Sequence, residues 1–164
     1  MYTTSVSIDT VIDSLKVFLS PLCGSCQIVR SQVNRVPLPS SPCVVLTDIS
    51  ELDLCVPYTN YQSTTGTATT STRIDIQIDF YGQMAADYCR VVKTAFRTGY
   101  GFDSFPYNIK PLFTSDGFNM PLITGEHQYE SRWVLTVSIQ YNPNFIFPSG
   151  SATTAVPNQL NPIF

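Results

Sequence analysis

Charge is scarce in this sequence. Asp, Glu, Lys and Arg make up 13% of its 164 residues, about half the usual share in a soluble globular protein. Disorder would require high charge and few apolar anchors, and it is excluded because 43% of the residues are hydrophobic and 12% aromatic. The shortage implies that much of the outer surface is covered by something other than water. The uncharged polar residues are mostly Thr, Ser, Asn and Gln, which suits a protein cover better than lipid. Clustered cations are missing too. Nine Lys and Arg stand against twelve Asp and Glu, for a net charge of −3, so a grip on DNA through neutralised phosphates has no residues to make it. A weakly acidic protein suits DNA that slides past without sticking. No run of 18 apolar residues occurs, which excludes a membrane-spanning helix. Acidic Asp9 and Asp13, with no basic segment before an apolar one, predict no signal peptide.

The usual chemistry is also absent. Five cysteines, Cys23, Cys26, Cys43, Cys55 and Cys89, are an odd number without a dense framework, which fits a reducing compartment. Cys23-Gly24-Ser25-Cys26 has redox-motif spacing. In thioredoxin-like sites, however, the first cysteine opens a helix and its pKa falls; here the pair follows a helical stretch and precedes a strand. Isolated Cys43, Cys55 and Cys89 and the single His127 make no zinc set. His127 lies in a polar loop, and no Gly-x-Ser-x-Gly elbow accompanies it. No phosphate-cradling or dinucleotide-binding glycine pattern appears. Neither catalysis, a cofactor nor a metal is expected.

What is present is strong periodicity. Ile8, Val11, Ile12, Leu15, Phe18 and Leu19 recur at three and four residues behind a capping Ser7, predicting a helix that ends at Pro21 and Gly24. Residues 26–32 read as a strand, and a second runs from Cys43 towards Leu54 with a break in its alternation that predicts a bulge. Ile74, Ile76, Ile78 and Phe80 alternate with Arg73, Asp75, Gln77 and Asp79, a strand with one buried face. Between these two strands, residues 57–72 carry no charge and are rich in Thr; they read as the tip of a long hairpin. Residues 83–97 form a second helix lined by Met84, Tyr88, Val91, Val92, Ala95 and Phe96, and Gly99-Tyr100-Gly101 ends it. Short strands at 109–113 and 120–123 flank the turn signal Asp116-Gly117. Arg132–Tyr141 alternates cleanly and stops at Asn142-Pro143. After Arg132 no charged residue follows, and the proline-punctuated stretch 144–164 reads as an extended arm rather than a central strand. Its Phe145-Ile146-Phe147 favours an arm laid on a neighbour over a solvated tail. The expected division is a domain over 1–143 and an arm over 144–164.

Four stretches together resemble the phage neck terminator family, whose members are similar to the tail terminator (tail completion) proteins of tailed phages. They are residues 32–39 (Gln-Val-Asn-Arg-Val-Pro-Leu-Pro); Ile78-Asp79-Phe80-Tyr81-Gly82 with Ala85-Ala86; Pro111-Leu112-Phe113; and Gln128-Tyr129-Glu130-Ser131-Arg132-Trp133 through Gln140-Tyr141-Asn142-Pro143. The likeness spans about residues 5 to 145, and the Arg-Trp strand ending in Gln-Tyr-Asn-Pro is its most specific part. Gln83 stands where the family often has proline, and the long uncharged tail is a second departure. The resemblance implies an α+β subunit whose curved, mostly antiparallel sheet, with its long hairpin, packs against two helices. It implies a virion structural protein, assembled in the host cytoplasm as a ring, commonly a homohexamer. Such a ring sits at the head–tail junction, ends the tail tube and joins it to the neck. Its implied partners are copies of itself, tube and possibly sheath proteins, a head–tail adaptor or connector, and genomic DNA passing through the lumen.

Under that resemblance Tyr129, Arg132, Trp133, Asn34 and Arg35 are structural or subunit-interface anchors. Arg132 is expected to pair with a carboxylate, and Trp133 reads as a core aromatic. Tyr58, Tyr61, Thr64, Gly66 and Thr69 belong to a loop facing the axial partner or the lumen. Phe145, Ile146, Phe147, Leu160 and Phe164 belong to the inter-subunit arm. A head–tail adaptor or tube subunit would share the same hairpin-and-helix economy, and Cys23 with Cys26 defines the competing enzyme reading, a small thiol oxidoreductase.

Overall fold

The computed structural model describes residues 3–32, 40–62, 64–123 and 129–150. In chain order the elements are β1 (Thr3–Thr4), α1 (Ile8–Leu19), β2 (Gln27–Arg30), β3 (Cys43–Asp53), β4 (Tyr58–Tyr61), β5 (Thr65–Thr69) and β6 (Thr72–Tyr81). They continue with α2 (Ala85–Phe96), α3 (Gly99–Ser104), β7 (Ile109–Thr114), β8 (Phe118–Asn119), β9 (Leu122–Ile123), β10 (Tyr129–Glu130), β11 (Arg132–Tyr141) and β12 (Asn144–Pro148). Among the described residues the fold is α+β, with mostly antiparallel sheets and three helices.

α1 forms where the apolar spacing places it. The Ser7 hydroxyl accepts from the Thr10 amide at 3.3 Å, filling one of the donors a helix start leaves open. Val11, Ile12, Leu15, Phe18 and Leu19 are buried. The six-stranded sheet has the order β2-β3-β6-β11-β7, with β8 also on β11. β6 lies between β3 and β11 and pairs antiparallel with both, so Ile74, Ile76, Ile78 and Phe80 meet α1 and α2 in one core with Leu135, Val137 and Ile139. The expected bulge falls between Asp48 and Ser50. β2 runs parallel to β3, the one parallel pair in this sheet among the described residues.

Two details of the second helix differ from the sequence reading. The buried residues of α2 are Ala85, Cys89, Val92 and Phe96, while Met84 and Val91 are 50% and 46% exposed. The apolar residues cover too much of the helix circumference to define one stripe. Packing then turns the small Ala85 and Cys89 towards the sheet, where close approach matters. Gly99 also opens α3 rather than closing α2. A Cβ on Gly101 would lie 2.7 Å from the Ala95 carbonyl and 2.8 Å from that of Phe96, so glycine lets α3 fold directly beneath the end of α2.

The Thr-rich stretch is not an open tip. β4 and β5 pair there, and with β12 and β1 they form a separate sheet of order β1-β12-β5-β4. Its three longer strands continue those of the main sheet: β4 follows β3, β5 precedes β6, and β12 follows β11. The neighbour order is preserved across the break, where the Leu54 amide bonds the Ser71 carbonyl at 2.8 Å and the Thr70 amide bonds that of Pro143 at 3.3 Å. Residues 144–148, expected to begin a separate arm, are therefore a strand of this chain's own sheet. Pro143 precedes that strand and Pro148 is its last residue, so neither removes a donor from its middle. We call the six-stranded sheet with its helices the body and the four-stranded sheet the arm.

Candidate interaction surface

The arm is built without charge. None of the residues in its four strands is Asp, Glu, Lys or Arg, and none of those in β4, β5 and β12 belongs to the hydrophobic core. Across β4, β5 and β12 only Gly66 is buried. Register sorts the side chains onto two faces, because successive residues of a strand point oppositely. Tyr61, Gly66 and Phe147 lie side by side, as do Thr59, Ala68 and Phe145. The other face carries Tyr58, Asn60, Thr65, Thr67, Thr69, Asn144 and Ile146.

Gly66 makes the first face possible. The Phe147 ring lies over it, and a Cβ there would sit 2.4 Å from the ring's Cζ. That placement brings Tyr61 edge-on to Phe147 at 6.1 Å and stacks Phe145 on Phe147 at 5.7 Å, geometries that aromatic quadrupoles favour. On the opposite face the Thr69 hydroxyl donates to the Asn144 side-chain oxygen at 2.8 Å. At the far end the Ser149 amide and hydroxyl bond the carbonyls of Thr64 and Gln62 at 3.1 and 3.2 Å. The described residues thus end at the tip of the arm. The predicted loop set is brought together but divided: Tyr61 and Gly66 on the aromatic face, Tyr58 and Thr69 on the threonine face, and Thr64 at the tip.

The anchors of the last strand separate. Arg132 donates twice to one Asp79 oxygen, at 3.1 and 3.0 Å, and Gln77 donates to both Asp79 oxygens at 3.0 Å. Asp79 is only 4% exposed, so its charge is matched inside the chain. The guanidinium also lies 5.8 Å from the centre of the Tyr81 ring. Trp133 is half-buried against the core, whereas Tyr129 is 76% exposed on β10. Asn34, Arg35, His127, Leu160 and Phe164 lie outside the described residues.

A polar cluster holds the body end nearest the arm. The Tyr141 hydroxyl donates to Glu51, and Thr72 donates to Asp53 at 3.0 Å. Burial first, then the Glu51 carboxylate, pushes the Tyr141 phenol well above its ordinary value. Further along, Arg30 bonds both oxygens of Asp48 at 3.2 and 3.1 Å and also reaches Asp9. The Arg30 bond holds the Asp48 carboxyl below its usual range.

The sequence reading missed a second exposed apolar surface. Leu112, Phe113, Phe118 and Met120 are exposed along β7 and β8 at the edge of the body sheet and just beyond it, and Leu122 and Ile123 are exposed on β9, which pairs with β10 in a separate two-stranded sheet. Their apolar run, interrupted by Asp116, was a signal, but apolar residues in short strands read as buried. The thiols, by contrast, offer little chemistry. Cys23 is fully buried, and burial, with the neighbouring Cys26, pushes its thiol up to about 12, opposite to the shift that activates a nucleophile. Among the described residues no three His, Cys, Asp or Glu side chains could hold a metal ion, and no helix is long and apolar enough to cross a membrane.

A family model described as phage neck terminator protein matches residues 9–161. The chain belongs to the phage neck terminator family. No curated protein matches it. Family membership makes it a structural virion protein of a bacteriophage, located in the tail or neck and interacting with other components there. The match reaches past β12, so most of the uncharged C-terminal stretch belongs to what the family shares.

Proposed function

We propose that this neck terminator assembles with copies of itself into a closed ring, commonly six subunits, at the head–tail junction. There it ends the tail tube and joins it to the neck, with the adaptor or connector on one side and tube, and possibly sheath, proteins on the other. Assembly takes place in the host cytoplasm. The observation that supports this most is the arm: four strands without charge, of which β4, β5 and β12 lie outside the core and continue the body's own ladder. Such a sheet exposes apolar area that water penalises, and neighbouring subunits relieve the penalty. Contacts between two different surfaces that close by rotation make rings. The threonine face, with Tyr58, Thr67 and Thr69, suits the lumen or an axial partner, because DNA meets no cation there to hold it. Tyr129, exposed ahead of β11, is assigned to the subunit boundary with Asn34 and Arg35, and Leu160 and Phe164 to the continuing inter-subunit arm.

Native mass spectrometry with negative-stain imaging of the purified full chain tests the proposal. A closed ring of one stoichiometry is expected, and a monomer at every concentration would overturn it. Replacing Cys23 and Cys26 by serine leaves ring formation unchanged; loss of a thiol-dependent activity would favour the oxidoreductase instead.

A further inference from the structure

Resting on the ring reading, we infer that the occupant of the arm's aromatic face is a second copy of this chain, specifically its exposed β7–β9 surface. Tyr61, Phe145 and Phe147 of one subunit would pack on Phe113, Phe118 and Ile123 of the next. Three observations carry this. The first is charge. An uncharged face strips water from any ion it covers and returns no partner, so it belongs on uncharged surface. The outer side of α1 carries Asp9, Asp13 and Lys16, and that of α2 carries Asp87 and Arg90. Lys93 and Arg97 pair with Asp116 at the β7 end of the edge, and Arg97 bonds the Thr114 carbonyl at 2.8 Å. Residues 111–114 and 117–123 carry no charge, and their Phe113 and Ile123 are 61% and 60% exposed.

The second observation is area. β4, β5 and β12, four to five residues long and about 4.8 Å apart, with the two-residue β1 beside them, offer on the order of 250 Å² of sheet per face. A stable interface needs about 800 Å² from each partner, so one face alone falls short. The third is where the chain goes. β12 runs outward and Ser149 is tied to the tip at Thr64, so the described residues end at the point of the arm farthest along the ladder from the body, and 14 residues follow Gly150 in the sequence. They carry Val156, Leu160, Ile163 and Phe164 and no charge. At about 3.3 Å per extended residue they reach roughly 45 Å, enough to add the missing contact on the same neighbour. Arm and edge are different surfaces of one molecule, so each copy donates one and accepts with the other.

Tyr58 and Tyr61 provide a matched test. Both are on β4 and almost equally exposed, at 71% and 69%, but on opposite faces. In the full chain, Tyr61→Lys should raise the concentration needed for ring formation at least tenfold, and Tyr58→Lys should leave the ring intact. Phe118→Lys, on the accepting edge, should match Tyr61→Lys; near-UV circular dichroism checks that each variant keeps the folded body. Mixing the Tyr61→Lys and Phe118→Lys proteins leaves one intact pair of surfaces and should give heterodimers without rings. A photo-crosslinking benzoylphenylalanine in place of Tyr61 should join two copies at residues 111–123. Rings from folded Tyr61→Lys protein, or crosslinks only to the same copy or to a different neck protein, would overturn the inference while the ring stands. A monomeric wild type would overturn both.

Discussion

Body and arm are made from the same three strand paths, yet they are stabilised by different means. In the body, alternate residues of β6 and β11 enter a core with α1 and α2, and burying one such side chain contributes about 1.5–3 kcal/mol. In the arm the same ladder continues past Pro57, Ser71 and Pro143 with Thr, Tyr and Phe on two open faces. Its stability in a single copy comes from backbone pairing and a few cross-strand contacts, each worth roughly 0.2–1 kcal/mol. The comparison teaches that continuity of hydrogen bonding does not imply continuity of stability. The arm is the part that opens first in isolation and gains most from a partner.

The largest expected effect lies in the body. Phe80→Ala, at a fully buried position on β6, should cost about 3–5 kcal/mol in urea denaturation. Tyr61→Ala on the arm should change monomer stability by less than about 0.5 kcal/mol; equal effects would break the distinction. Next comes Arg132→Ala, which strands the buried Asp79 charge and should cost about 3 kcal/mol even though Gln77 remains. A negligible loss in the same denaturation experiment would show that Asp79 finds water. Gly66→Ala should then act locally. The Phe147 ring must move, at a cost of about 1–2 kcal/mol to the arm, seen as faster hydrogen exchange in β5 and β12 with the body unchanged. Adding Phe147→Ala should restore much of the protection.

The smallest effect concerns Asp48. Its carboxyl is held below the ordinary value near 3.8 by Arg30, so in the folded chain it binds a proton less readily than when unfolded. The resulting stability is present above that ordinary value and is lost as pH falls through the folded one. The pair is about a third exposed, which limits the contribution to under about 1 kcal/mol. Asp48→Asn should flatten the acid limb of the stability curve below about pH 4; an unchanged limb would mean other carboxylates carry it.

Where two faces of a strand differ in hydrophobicity, the sequence was legible. Arg132–Tyr141 alternates apolar with polar residues and is a strand with those bounds. α1 showed itself by its 3.6-residue stripe and its serine cap. Residues 58–69 did not, because Thr, Tyr, Asn and Gly on both faces leave no contrast for a period of two to reveal. The strand preference of threonine was the one signal available, and it depends on context. The aromatic face was split among three separate stretches, Tyr61, Gly66 and Phe145 with Phe147, joined only by register.

Sequence by itself determined the main sheet's strongest strands, the first helix, the shortage of charge and the family likeness, because each is written in residues close along the chain or in the composition. Tertiary structure alone decided that Arg132 meets Asp79 across 53 positions, that Gly66 lies under Phe147, and that the C-terminal stretch begins as a strand of the arm. Those pairings depend on which strands become neighbours and in what register. Register is settled by burying the body's apolar faces together, and the arm inherits it.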